Sequence, residues 1–283
     1  MSTTAFRDKW ILITGGASGI GLETACAFAE RGARLILTDL NPEALDAARA
    51  RIQGLGVECE THVCDVTDLA AVNALAQVLQ ARIGALDVLI NNAGTVFLGG
   101  FMETQPATWQ RVLDVNVMGA VNVVRAFLPA MQARPGVRRI VNVASLAGML
   151  PAPNMAAYAA SKHAVIGFSE VLAMELAASP TAGEVGILVV CPGVINTPLL
   201  NIRARGANIS DRQLATLQTY YQQHGCHPSE VAEDIVAQVW SRQPYLFSGP
   251  QARLGYLLTR LSRRLARWFS LRAARENGYL EPR

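Results

Sequence analysis

A short apolar run, Trp10 to Thr14, leads without a break into Gly15-Gly16-Ala17-Ser18-Gly19-Ile20-Gly21. A helical pattern follows from Leu22 to Arg31 and stops at Gly32, the residue type that ends helices most readily. A second apolar run, Arg34 to Thr38, ends in Asp39. Strand, glycine-rich turn, helix and strand in this order predict a parallel βαβ unit. The glycines let the main chain approach a pyrophosphate closely, and the helix start aims N–H groups at it. Any βα connection can contain glycines, so the turn alone carries little weight. Asp39 adds to it, lying 20 residues after Gly19, where such a unit holds a ribose 2′-hydroxyl. A carboxylate there repels a 2′-phosphate, which predicts NAD over NADP.

The alternation continues. Helical patterns cover Pro42–Gln53, Asp68 to Arg82, Pro106 to about Gln132, Ala156 to about Ala178, and Glu230–Arg242. Strand patterns cover Val57–Val63, Asp87–Ile90, Ile140 to Val143, Val185–Cys191 and Tyr245–Phe247. Strands alternating with helices predict one α/β domain, a doubly wound parallel sheet of about seven strands over residues 1–250. Ligands of such sheets bind at the carboxyl ends of the strands. Gly15 to Gly21, Asp39, Asp65, Asn91 to Gly94, Ser145 and Pro192 to Thr197 all fall just past strand ends.

Tyr158 and Lys162 are four residues apart on a predicted helix, hence on one face and one turn apart. A phenol ionises near pH 10, at about the model-compound value, and a nearby ammonium lowers that. A phenol so tuned can exchange a proton with an alcohol or ketone oxygen. Ser145, from the preceding strand end, can donate a hydrogen bond to the same oxygen. Such a Tyr–Lys spacing also occurs on ordinary solvated helix faces. The chain has only one other lysine, Lys9, against 23 arginines, so a lysine at 162 is informative.

Together these motifs resemble the short-chain dehydrogenase/reductase family. They are Thr14-Gly15-x-x-x-Gly19-x-Gly21, Asp65, Asn91-Asn92-Ala93-Gly94, Asn116, Ser145, Tyr158-x-x-x-Lys162 and Pro192-Gly193-x-x-x-Thr197, and the likeness runs over roughly residues 7–250. The resemblance implies a nicotinamide-dependent alcohol–ketone oxidoreductase and a homo-oligomer, dimer or tetramer. It implies that Gly15, Ser18, Gly19, Ile20 and Gly21 cradle the cofactor phosphates. Asp39 would hold the adenosine ribose, and Asp65 with Val66 the adenine. Asn92, Ala93 and Gly94 would line the cofactor groove; Pro192, Ile195 and Thr197 would meet the nicotinamide end. Tyr158 would be the acid/base, Lys162 would hold the nicotinamide ribose and depress the Tyr158 pKa, Ser145 would orient the substrate oxygen, and Asn116 would support a proton relay. Other expectations on the same fold are an NADPH-dependent carbonyl reductase and a non-catalytic cofactor-sensing protein.

A segment from about 198 to 225 is expected to close over the substrate, as the resemblance implies. It carries Leu199, Leu200, Ile202, Leu214, Leu217, Tyr220 and Tyr221. With Val96, Phe97, Leu98, Leu146, Met149, Leu150 and Met155 it suggests an apolar alcohol or ketone, although these side chains can equally pack the lid itself. His62, His163, His224 and His227 show no metal-ligand spacing, and no metal is expected. A net charge of +3 gives no reason to expect nucleic acid. Five cysteines, without a C-x-x-C pair or an apolar leader, suggest a reduced, cytoplasmic setting.

The tail departs from the rest. From residue 251 on there are eight Arg and two Glu, whereas the residues before it carry a net charge of −3. From Arg253 to Arg275, Leu254, Leu257, Leu258, Leu261, Leu265, Trp268 and Phe269 recur at helical spacing among arginines. This predicts one basic amphipathic helix, suited to an anionic membrane surface, to the protein body or to a second subunit.

Overall fold

The computed structural model describes residues 6–179, 181–197 and 205–280. Seven parallel strands form one sheet in the order β3-β2-β1-β4-β5-β6-β7. They are β1 (Trp10–Thr14), β2 (Arg34–Asp39), β3 (Cys59–Val63), β4 (Val88–Asn91), β5 (Gly136–Val143), β6 (Gly183–Pro192) and β7 (Tyr245–Ser248). The strand order reverses between β1 and β4, which opens a crevice above their carboxyl ends.

Both faces of the sheet are covered, so a central strand such as β1 (Trp-Ile-Leu-Ile-Thr) is apolar at consecutive positions rather than at every second one. Ile11 and Ile13 of β1 point into one core with Leu35 and Leu37, while Leu12 points into the other with Ile36 and Leu89. On the first face lie α1 (Gly19–Ala29), α2 (Pro42–Gln53) and α8 (Pro228–Gln238). On the second lie α3 (Leu69–Ile83), α5 (Gly119–Ala133) and α6 (Ala156–Ala178).

Three elements differ from the sequence expectation. The stretch from Pro106 is not one regular helix: α4 (Pro106–Leu113) joins α5 through a π-helical turn at Asp114–Met118, which contains Asn116. The segment after β6 contains a helix that the sequence pattern did not reveal, α7 (Asp211–His224), whose first turn is capped by Ser210. Leu199, Leu200 and Ile202 of that segment lie outside the described residues.

The tail forms two helices, α9 (Ala252–Leu261) and α10 (Arg263–Glu276), instead of one. Ser262 has extended backbone, with φ −161° and ψ 117°, which breaks the first helix, and its hydroxyl accepts from Leu265 N to start the second. The helices dock through small residues: Ala252, Gly255, Ala266 and Ala274 are the buried positions. At Gly255 an added Cβ would lie 2.5 Å from Leu150 Cδ1, so α9 sits tightly on the turn that follows Ser145.

Candidate active site

The crevice is one cavity of about 1010 Å³. It begins at the glycine turn, where Gly15, Ser18, Gly19 and Ile20 line it, with Asp39 at the end of β2 and Asp65 and Val66 after β3. It passes Asn92, Ala93 and Gly94 and reaches Ser145, Tyr158 and Lys162, with Pro192, Ile195 and Thr197 opposite. Gly21 and Asn116 do not line it and act from behind the wall.

At the glycine end the main chain sets the shape. Gly15 has φ +61° and Gly19 φ +53°, a region open to glycine at no steric cost. A Cβ on Gly21 would lie 2.3 Å from Gly15 O and 2.5 Å from Asn92 Nδ2, so no side chain fits there. The Asn92 amide donates to Gly15 O at 2.9 Å and to Thr14 O at 3.1 Å, which clamps the turn to the end of β4. Thr14 Oγ1 completes the clamp by accepting from Asn92 N and Ala93 N, both at 3.1 Å. The N-terminus of α1 has no side-chain cap and no acidic residue in its first turn. By contrast, α2, α3, α7 and α10 are capped by Asn41, Asp68, Ser210 and Ser262. Uncapped N–H groups facing a cavity form an anion site.

The Asp39 carboxylate, at the end of β2, accepts from Ala17 N at 3.3 Å, Leu40 N at 2.8 Å and Asn41 N at 3.2 Å. These bonds fix it beside the glycine turn. Asp65 closes a small turn on Thr67, with Oδ1 accepting from both its N and its hydroxyl at 2.8 Å.

At the other end, α6 brings Tyr158 and Lys162 under the cavity. Lys162 Nζ donates to Val143 O at 2.8 Å and lies 5.7 Å from the centre of the Tyr158 ring. Burial pushes the Tyr158 phenol up to about 12, and a hydrogen bond with Ser145 offsets part of that rise. Burial also lowers Lys162 to about 8. The ammonium is directed at a carbonyl rather than at the phenol. The protein groups in this arrangement therefore leave Tyr158 above its ordinary value, unlike the depression expected from the spacing alone.

Asn116 is placed by the π turn, a distortion often found at functional sites. Its Oδ1 accepts from Thr95 N at 2.7 Å, and its Nδ2 donates to Thr95 O and Ser161 Oγ, each at 2.9 Å. Ser161 in turn donates to Tyr158 O at 2.7 Å. Asn116 thus ties the β4 loop to the helix of the Tyr–Lys pair. A second buried chain runs from Asn91 Nδ2 to Asn142 Oδ1 and from Asn142 Nδ2 to Ser169 Oγ, each 2.8 Å, and holds α6 to β5. The sequence reading missed Ser161, Asn142 and Ser169. The spacing of Ser161 and Ser169 inward along α6 is the one available signal.

Beyond Tyr158 the cavity is mainly apolar and aromatic, with Gln251, Ser270 and Asn277 as its polar side chains. Val96, Leu146, Leu150 and Met155 line it as expected, and so do Tyr220 and Tyr221. Phe97, Leu98 and Met149 do not; Leu98, Leu214 and Leu217 pack around Tyr158 from outside. The tail completes this end, with Phe269, Ser270 and Ala273 of α10 and then Asn277 and Tyr279 along the wall. Tyr279 O accepts from Gln213 Nε2 at 3.1 Å and from Asn154 Nδ2, and the Tyr279 and Tyr221 phenols share a hydrogen bond. Gly278 allows the approach: φ is +89°, and a Cβ would lie 2.9 Å from Leu217 N. Burial raises both the Tyr221 and Tyr279 pKa values.

The family model for short chain dehydrogenases matches residues 9–207. The probable oxidoreductase EphD of Mycobacterium tuberculosis is 35% identical over 261 residues, covering 90% of this chain and 43% of EphD. This chain therefore spans less than half the length of that relative. Estradiol 17-beta-dehydrogenase 11 of Homo sapiens is 37% identical over 187 residues, 66% of this chain and 62% of that protein. Among solved structures, a short chain dehydrogenase/reductase from Burkholderia phymatum in complex with NAD has a TM-score of 0.84 at 31% identity, covering 93% of this chain and 96% of that one. A variant actinorhodin polyketide ketoreductase with NADPH has a TM-score of 0.69 at 31% identity, covering 82% and 90%.

Proposed function

Because this chain belongs to the short-chain dehydrogenase/reductase family of oxidoreductases, we propose that it interconverts an apolar secondary alcohol and its ketone with NAD. The observation that carries the proposal is the continuity of the cavity, which joins an anion-binding glycine turn to Ser145, Tyr158 and Lys162 and then to an apolar end.

The residues at the turn fit a dinucleotide. The uncapped start of α1 offers N–H groups to a pyrophosphate, and Gly21 keeps the turn free of a side chain. Asp39, on the same rim, would accept from ribose hydroxyls and repel a 2′-phosphate. When bound, a nicotinamide cofactor supplies the hydride acceptor or donor.

The chain itself handles the proton. Tyr158 gives a proton to, or takes it from, the substrate oxygen, and Ser145 donates a hydrogen bond to that oxygen. With its pKa lowered to about 8, Lys162 is mostly charged at neutral pH. Turned from Val143 O toward the phenol, it would stabilise the phenolate and bring Tyr158 down from about 12. Asn116 holds the main chain of the β4 loop and, through Ser161, the first turns of α6. The apolar lining beyond Tyr158 supports a hydrophobic substrate, as does the name of the estradiol dehydrogenase relative.

Reduction with NADPH is a second reading, supported by the ketoreductase neighbour and opposed by the charge of Asp39. Turnover of a panel of hydrophobic secondary alcohols with NAD and with NADP separates the two. Tyr158→Phe should retain NAD binding by titration and lose about 1,000-fold in turnover, within the range for a general acid/base. A Tyr158→Phe protein with most of its activity would refute the role of the phenol, and better turnover with NADP would reverse the cofactor assignment.

A further inference from the structure

Amphipathic helices normally turn their large apolar residues toward the core. In the tail this is partly inverted: Tyr256 stacks on Phe247 at 4.4 Å and Phe269 lines the cavity, but most of the large apolar residues face outward. The fully buried positions of α9 and α10 are Ala252, Gly255, Ala266 and Ala274. Leu254, Leu257 and Leu261 of α9 are 53%, 55% and 79% exposed, and Leu265 and Trp268 of α10 are 46% and 58% exposed. Their spacing puts them on shared faces of the two helices. Arg253, Arg260, Arg263, Arg264 and Arg267 are exposed as well and have no ion-pair partner among the described residues. Arg272 pairs with Glu276 and lies over the Trp268 ring at 6.0 Å.

We propose that α9 and α10 form a docking surface for an anionic lipid bilayer. Leucines and a tryptophan flanked by unpaired arginines match a surface with negative headgroups above an apolar layer. A second copy of the chain matches less well. A two-fold contact sets the same patch against itself, and here that would bring arginines against arginines. The inner face of α10, through Phe269 and Ala273, and the C-cap Asn277 form a wall of the substrate end of the cavity. Docking therefore brings the cavity to the lipid surface. That consequence, but not the docking itself, rests on the apolar substrate proposed above.

The test is flotation of the full chain with vesicles of phosphatidylcholine alone and of phosphatidylcholine with phosphatidylglycerol. The chain should float with the anionic vesicles and remain largely free with the neutral ones, and salt should release it. Each arginine near such a surface adds about fivefold to partitioning, so Arg263→Gln/Arg264→Gln/Arg267→Gln should weaken flotation about 100-fold. Leu257→Ser/Leu261→Ser/Trp268→Ser, at exposed positions whose helicity circular dichroism would confirm, should also abolish flotation. Failure of the parent chain to float with anionic vesicles would overturn the proposal. So would equal flotation of parent and both variants, or a loss of oligomer mass in the leucine–tryptophan variant with flotation unchanged. Since no outcome is read as turnover, failure here leaves the catalytic proposal untouched, and the reverse also holds.

Discussion

The two ends of the cavity are made of different material. At the glycine end the cradle is main chain, a turn with two positive φ values and an uncapped helix start, and the one side chain fixed beside it is the Asp39 carboxylate, held by three backbone N–H groups. At the substrate end the wall is side chain, gathered from the β4 loop, the turn after Ser145, α7 and the tail. A main-chain site can bind only what every such chain offers, N–H groups and shape, and so suits a ligand common to many enzymes. A side-chain site can change with each substitution and suits a ligand particular to one. The difference teaches where mutations should be sharp and where they should be graded.

At the glycine end the sharpest should be Gly21→Val. Its side chain would have to occupy space already held by Gly15 O and Asn92 Nδ2, the two atoms that clamp the turn. Overpacking of this kind costs about 1–3 kcal/mol, and here it falls on the turn itself, so cofactor affinity should drop by about 10- to 100-fold. Fluorescence titration with NADH reads the loss. Affinity within twofold of the parent would show that the turn is not the phosphate cradle.

Asp39→Asn probes the same end at the cost of one bond, because the oxygen that accepts from Ala17 N at 3.3 Å becomes an NH2 group. An amide oxygen can still accept from Leu40 N and Asn41 N, as the carboxylate does at 2.8 and 3.2 Å, but the charge is gone. Removal of a like-charge clash with a 2′-phosphate should raise the NADP-to-NAD ratio of kcat/KM by about tenfold, which corresponds to about 1.4 kcal/mol. A ratio that does not change would mean that Asp39 sets the shape of the turn and not the choice of cofactor.

The contrast also explains what could be read in advance. Gly15, Gly19, Asp39 and the Tyr158–Lys162 pair were legible because each acts over a few residues of local chain, through φ, strand ends or helical spacing. The alternation of strands and helices gave the sheet for the same reason. What escaped depends on contacts between distant segments. Nothing near Asn116 marks a π turn, yet the turn aims its amide at Thr95. The partial inversion of the tail was hidden as well. Periodicity locates a leucine stripe but not the side from which the body approaches, and here alanines and a glycine make the closer contact. Nor does spacing tell where an ammonium points, and Lys162 points at Val143 O.

The substrate end should respond more gently, and Tyr279→Phe is its cleanest probe. The ring stays, so the volume of the wall is kept, and the Tyr279 carbonyl can still accept from Gln213 and Asn154. Only the hydrogen bond to the Tyr221 hydroxyl is lost. Because that hydroxyl is buried with an apolar cluster around it, its loss of a partner has a cost. A net hydrogen bond is worth about 0.5–1.5 kcal/mol, so the apparent KM for an apolar alcohol should rise about two- to tenfold. The Kd for NADH should hold, since the pair of phenols lies at the far end from the glycine turn. If KM and the NADH Kd rose together, the tail would be stabilising the whole protein rather than closing one end of the cavity. If neither moved, the wall at that end would be set by Phe269 and α10 alone, with the final residues free to part from α7.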